Sequence, residues 1–363
     1  MGLEKGKVSS LETIFLMFGF IFGGVIVSPG SVAGKDFWLA PLLGFIILLP
    51  LGAIYVALLN RFQGKTIIEI NEIIFGPIPG GLLSGFFLWF LFHSGALILM
   101  SYLDFFKQLL LPNTPAEIIV FLMAALTIYG VKMGLEVIMR TGLMIVPVTM
   151  IVLMLLFLFA LPVIEVSNIR PLFTTSWPKM MWAGFGVAVQ PCAETVAFLM
   201  ILPFLNKPGQ VKITFFLGLI LGCIGLSLSA LRSILVLGES AGMYLYPSYY
   251  AIKMINIADI LNRFEILIAI NYLAMGFIKA TVYLYGLSLG FAQLFKFDSY
   301  RPVVPPLGFL MALFALFNMH NVAEKIEFAN KAFPLYALPF VLGVPLIALV
   351  GSWLKGIKGG ASQ

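Results

Sequence analysis

The chain is short of charge. Asp, Glu, Lys and Arg make up only 10% of its 363 residues, against 61% hydrophobic, and the mean hydropathy is +1.06. Soluble domains carry about 25% charged residues, so a water-soluble fold of this size could not cover its own surface. A bilayer removes that demand, because lipid-facing side chains can stay apolar. No long polar stretch exists either, which excludes a soluble nucleotide-binding domain and, with it, an ATP-driven pump. Phosphate loops, dinucleotide fingerprints, zincin motifs and nucleophile elbows are all missing, and the 16 acids are dispersed, so the sequence reads as no enzyme and implies no cofactor. The 2 histidines, His93 and His320, have no second ligand at helical spacing, so no metal site is expected. The 2 cysteines, Cys192 and Cys223, stand inside apolar runs and read as small buried side chains. Basic residues outnumber acids by a net +6, with a pI near 9.2, yet they are scattered. They read as membrane anchors and topology signals facing lipid headgroups, and nucleic acid is not an expected partner.

Apolar runs recur from end to end, which predicts an all-α integral membrane protein forming one transmembrane domain over 1–363. A spanning helix needs roughly 20 apolar residues. Such segments fall near 11–30, 36–59, 80–110, 115–131, 141–162, 183–205, 211–238, 262–295, 303–321 and 333–354, about ten in all. The fourth is the shortest, bracketed by Pro112, Pro115 and Lys132. Lys5 and Lys7 precede the first run, which lacks a small-residue cleavage site and reads as the first membrane helix. Two links are longer: 163–182, with Pro171 and Pro178, and 239–261, whose tyrosines 244, 246, 249 and 250 read as an interfacial belt. With the N-terminus inside, every inner loop is basic (Lys5, Lys7, Arg61, Lys65, Lys132, Arg140, Lys207, Lys212, Lys296, Arg301, Lys355, Lys358). The outer side carries fewer such residues, among them Lys35, Lys107, Arg170 and Lys179, so both termini are expected in the cytoplasm.

Two spans are interrupted. Gly23, Gly24, Ser28, Pro29 and Gly30 break the first; Gly184, Gly186, Gln190 and Pro191 break the sixth. Proline removes a backbone donor and glycine weakens a helix interior, and in lipid the freed groups persist only where protein or a cavity satisfies them. Ten spans divide into repeat halves of about 11–162 and 183–355, and each break falls in the first helix of its half. That pattern points to a 5+5 inverted repeat with a ligand site near the midplane. Half-helix N-termini suit a carboxylate, and half-helix C-termini and unwound carbonyls suit an ammonium, so a small zwitterion is the expected guest. Ordinary kinks and tight-packing glycines are the plainer alternative.

A carboxylate at membrane depth, Glu194, follows the second break. It reads either as a gate or anchor for the unwound segment or as a buried acid satisfied by local amides. Lys279, inside the eighth span, is either an internal counter-charge to a group such as Glu194 or a side chain that snorkels or meets another subunit. Thr281 and Tyr285 share a helix face, able to bond a ligand, a first-helix carbonyl or simply another helix; Ser94, Ile98 and Tyr102 form a similar stripe on the third span.

These residues resemble a known family. Asn262-Arg263-Phe264-Glu265-Ile266-Leu267, then Phe277-Ile278-Lys279 and Tyr283-Leu284-Tyr285, look like the eighth-helix signature of the endospore germination permeases, the B subunits of Ger nutrient receptors within the amino acid–polyamine–organocation superfamily. Ala292-Gln293-Leu294-Phe295, Tyr300-Arg301-Pro302 and Pro306-Leu307-Gly308 continue the likeness, as do Lys7-Val8-Ser9-Ser10, Asp36-Phe37-Trp38-Leu39 and Glu194 with Phe198-Leu199 and Pro203. Cys192-Ala193 stand where the family often has a Gly-aromatic pair, and Asn271-Tyr272 where it often has tryptophan. The resemblance implies a leucine-transporter-like fold with discontinuous helices one and six. It implies residence in the spore inner membrane beside receptor A and C subunits, and binding of a germinant, typically an amino acid, that triggers ion release. Carried onto this sequence, the ligand-binding positions are Gly23, Gly24 and Val25, then Ser94, Ile98 and Tyr102, then Gly186, Gln190, Glu194 and Phe198, and finally Thr281 with Tyr285. The competing expectations are an amino acid permease or symporter on the same scaffold, and a channel-like conduit through the same vestibule.

Overall fold

The computed structural model describes residues 3–4, 6–24, 30–255, 264–318 and 322–357. Val25, Ser28, Pro29, Asn262, Arg263, His320, Lys5 and Lys358, named above, lie outside the described residues. Helix dominates; among the described residues the only β-type pairing is an isolated bridge between Val8 and Leu205. Among the described residues seven helices are long and apolar enough to cross a membrane, the longest being Pro208–Met243 and the most buried Trp177–Met200.

The helices are α1 (Ser10–Phe22), α2 (Ala40–Arg61), α3 (Ile67–Phe75), α4 (Pro77–Leu109), α5 (Ala116–Lys132), α6 (Leu135–Ala160), α7 (Trp177–Val187), α8 (Val211–Leu237), α9 (Pro247–Lys253), α10 (Glu265–Leu294), α11 (Val304–Phe317), α12 (Val322–Glu327), α13 (Phe333–Leu338) and α14 (Val344–Leu354). Helix occurs in each of the ten predicted apolar segments, with two adjustments. The first predicted segment stops early, at Phe22, with Gly23 as its cap. Helical turns resume at Ser31–Leu39, kinked at Gly34 (φ 56°), and run on into α2. The last segment is a chain of short helices from Val322 to Leu354, joined by wider turns at Phe328–Ala332 and Pro339–Gly343.

Local chemistry sets the helix starts. Ser9 accepts from the Glu12 amide while Glu12 accepts from Ser9, a reciprocal cap that fixes where α1 begins. Thr66 and Glu69 do the same for α3. Gly76, at φ 83°, turns the chain from α3 into α4, a conformation that favours glycine.

Close helix pairing rests on small residues, as expected where the hydrophobic effect cannot drive association. α1 lies on α8, where a Cβ on Gly218 would come within 2.8 Å of Met17, one on Gly222 within 2.8 Å of Ile21, and one on Gly225 within 2.9 Å of Phe18. α10 lies on α4, where the Tyr102 ring sits so close to Gly276 that a Cβ there would overlap it at 1.8 Å. The broken segment Trp177–Met200 is 89% buried across its apolar window, whereas Leu135–Val163, which contains α6, is 22% buried. The second break is therefore central, and α6 lies at the lipid-facing edge.

Candidate functional site

Both interruptions face each other. α7 ends at Val187, and Gln190 adopts extended backbone (φ −125°, ψ 114°) before Pro191. Beyond it, Ala193–Met200 continues as an eight-residue 3₁₀ stretch. Runs longer than three or four residues are uncommon for that tighter helix, and mid-helix examples mark hinges or strain. On the other side, a Cβ on Gly24 would come within 2.6 Å of the Pro191 ring and 3.1 Å of Lys279 Nζ. Only glycine allows the end of α1 to rest directly on the second break and on the α10 ammonium.

Lys279 Nζ stands 2.5 Å from Glu194 Oε2, with 0% and 4% side-chain exposure, so this is a buried ion pair. Its placement follows the helix dipoles. Lys279 lies at the C-terminal end of α1, where carbonyls concentrate negative charge, and Glu194 lies in the first turn of its 3₁₀ stretch, where amides concentrate positive charge. The Phe20 ring adds a face 4.9 Å from the ammonium. Phe20 in turn packs edge-on against Phe198 at 5.4 Å and tilted against Tyr283 at 5.1 Å. Tyr283 is a neighbour of Glu194 and Ser94. The Cys192 and Cys223 sulfurs approach to 3.4 Å beside the pair, tying the second break to α8. Gln190 Oε1 is buried without a partner among the described residues.

Of the expected site residues, the structure brings together Gly23, Gly24, Ser94, Tyr102, Gln190, Glu194 and Phe198. Tyr102 donates from its hydroxyl to the Gly23 carbonyl at 3.3 Å, capping a carbonyl that the end of α1 leaves free. Ile98 is buried on α4 one turn from each of its stripe partners, and Gly186 is buried in α7. Thr281 and Tyr285 go elsewhere. The Thr281 methyl faces Gly130 of α5, and the Tyr285 hydroxyl donates to Glu4 Oε2 at 3.3 Å. Val25 lies outside the described residues. Phe20 and Tyr283 join the site, beside Pro191 of the expected second break; the spacing Lys279–Tyr283, one helical turn, was the available signal for Tyr283.

Two flanking features close the ends. Near the inner end by the basic-loop reading, residues 3–4 and 6–9 form a strap. Val8 exchanges backbone bonds with Phe204 and Asn206 (3.1 and 2.9 Å), and Glu4 accepts from the hydroxyls of Tyr285 and Tyr300 (3.3 and 3.1 Å). Beside it is a polar cavity of about 1000 Å³ lined in part by Glu4, Lys65, Glu69, Gln293, Tyr300 and Arg301. At the opposite end Asp36, 1% exposed, accepts from the amides of Phe173 and Thr175 at 3.0 and 2.9 Å. Thr175 donates back to the Ala33 carbonyl at 2.6 Å. The long 161–176 link is thus pinned to the turns that follow the first break.

With that geometry in view, the comparisons converge. The sequence model of the family described as "Spore germination protein" matches residues 7–323, and the chain belongs to that family. Spore germination protein KB of Bacillus subtilis (strain 168) is 24% identical over 97% of this chain and 96% of its own length. Spore germination protein B2 of the same organism is 25% identical over 98% of each. Among solved structures, MHP1, a nucleobase-cation-symport-1 family transporter with bromovinylhydantoin bound, superposes with TM-score 0.75 at 13% identity, over 98% of this chain and 80% of that one. MhsT in complex with L-phenylalanine gives 0.57 at 14% identity, over 99% and 100%. At such identities the likeness speaks to fold alone, and the fold is that of leucine-transporter-type membrane transporters.

Proposed function

We propose that this chain is the nutrient-binding B subunit of a germinant receptor. On this reading it lies in the spore inner membrane as ten spans in a 5+5 inverted repeat with both termini cytoplasmic, beside A and C subunits. The observation that carries the proposal is the Lys279–Glu194 pair wedged between the two breaks. Each charge stands where the broken helices would otherwise favour the opposite ends of a zwitterion, an ammonium at the α1 carbonyls and a carboxylate at the 193–200 amides. The protein is, in effect, its own ligand in this closed arrangement. An amino acid entering there exchanges partners: its carboxylate takes Lys279, its ammonium takes Glu194 and the α1 carbonyls, and Pro191 parts from Gly24. The guest thereby favours an arrangement in which the breaks are separated. Such a shift occurs only to the extent that the guest prefers that arrangement over the closed one. The A subunit reads the difference.

The full-length protein purified in detergent tests this by thermal-shift screening against the common amino acids, with uptake of the same labelled compounds in reconstituted vesicles. Stabilisation by a restricted set, lost in Gly24→Trp and without gradient-driven uptake, is the expected result. Robust uptake supports the permease reading of the same site. Stabilisation that survives Gly24→Trp removes the site from between the breaks.

A further inference from the structure

A second pocket lies on the lipid-facing edge, behind the first broken helix. Between α6 and α8, floored by Phe18 of α1, runs a crevice of about 420 Å³. Its walls are apolar: Met150, Leu153, Met154 and Leu158 from α6, and Leu221, Ile224 and Leu228 from α8. Rim side chains Met154, Leu158 and Leu228 are 59%, 48% and 51% exposed, so the crevice opens sideways towards the hydrocarbon. One end is different. Arg232 lines the crevice, is only 2% exposed, and has no carboxylate within ion-pair distance among the described residues. One of its terminal nitrogens donates to the Ser248 hydroxyl, which is shared with Ser229, while its Nε has no partner among the described residues. A buried guanidinium at membrane depth with a free donor is costly unless it meets an anion.

We infer that this crevice binds the tail of a long-chain fatty acid, with its carboxylate on Arg232. The dimensions fit that occupant. From Leu221 to Arg232 along α8 is roughly 16 Å, at about 1.5 Å per residue, which suits an extended alkyl tail and is too long for a small polar metabolite. Depth separates a free acid from a phospholipid. Arg232 lies five residues before the end of α8 at Leu237, roughly 7.5 Å inside the helix end. A phosphate held in the headgroup layer stays above that level, whereas the compact carboxylate of a free acid can descend to it and accept paired donors from a guanidinium. The floor gives binding a route to the rest of the molecule. Phe18 stacks on Phe22 at 5.6 Å, the last residue of α1 before the first break, so an occupied crevice presses on the broken helix.

The test uses the full chain in detergent and three probes: tritiated palmitate, hexadecanol of the same tail, and dioleoylphosphatidylglycerol as competitor. Saturable palmitate binding is expected, at least tenfold tighter than hexadecanol. Arg232→Met should reduce palmitate to the hexadecanol level. Met154→Trp, a change at an exposed rim that leaves the fold undisturbed, should weaken both by at least tenfold. Equal affinity for acid and alcohol overturns the inference, as does palmitate binding unaltered by Met154→Trp. Displacement by phosphatidylglycerol at palmitate-like concentrations assigns the crevice to phospholipid instead and equally overturns it.

Discussion

Lys279 and Glu194 are worth more together than either is apart. Removing one member of a buried ion pair leaves an uncompensated charge in low dielectric, which costs about 3–5 kcal/mol, while replacing both with neutral groups of similar size is often tolerated. Lys279→Met alone should therefore lower thermal stability sharply in detergent, and Lys279→Met with Glu194→Gln should recover most of that loss. Neither variant should respond to amino acids, because the groups that would exchange partners with a guest are gone. Equal stability of the single and double variants would show that the pair is not electrostatically coupled. Gly276→Ala makes a second residue-scale prediction. Its methyl must displace the Tyr102 ring, and overpacking of this kind costs about 1–3 kcal/mol; with the ring goes its bond to the Gly23 carbonyl. Intrinsic fluorescence melts would detect the loss. What the sequence exposed about these residues was their depth. That Glu194 and Lys279 are intramembrane charges was plain from the apolar runs around them, and pairing was one of the options open. Azimuth was hidden: Lys279 and Thr281 are two apart on one helix and point to opposite sides, so only coordinates show that Lys279 meets the breaks and Thr281 meets Gly130.

At the scale of elements, the strap and the Asp36 clamp act on opposite ends of the same site. Tyr285 belongs to α10, the helix that carries Lys279, and its hydroxyl is tied through Glu4 to Tyr300, so the strap holds that end of α10 against the following loop. Glu4→Ala should loosen it. A cysteine at Gln293, in the polar cavity beside Glu4, should then label faster with a water-soluble maleimide. An unchanged rate would assign the strap to packing alone. Asp36→Ala should free the 161–176 link at the other end and raise its susceptibility to protease, with a stability cost of about 1.5–3 kcal/mol for each hydrogen bond lost to the carboxylate. The sequence made the helices legible because uninterrupted apolar runs have few other readings, and Pro191 announced the second break. It could not announce Glu4, whose partners lie 281 and 296 positions away, nor the 3₁₀ path of 193–200, which tertiary packing imposes on residues with no such preference of their own.

For the molecule as a whole, ligand linkage makes a measurable forecast. A guest that binds only the folded state at a hundred times its dissociation constant adds about 2.7 kcal/mol. A bona fide nutrient should thus raise the melting temperature, and the increment should vanish in Gly24→Trp. The seating of α1 on α8 shapes how any such signal is delivered. Met17, Ile21 and Phe18 rest over successive glycines of α8, each in a recess with no spare room. A packed interface of this sort has discrete resting positions and resists continuous sliding. The first helix therefore behaves as a detented shaft: it stays seated or it clicks over. A weak agonist would yield fewer switched molecules, not many half-switched ones.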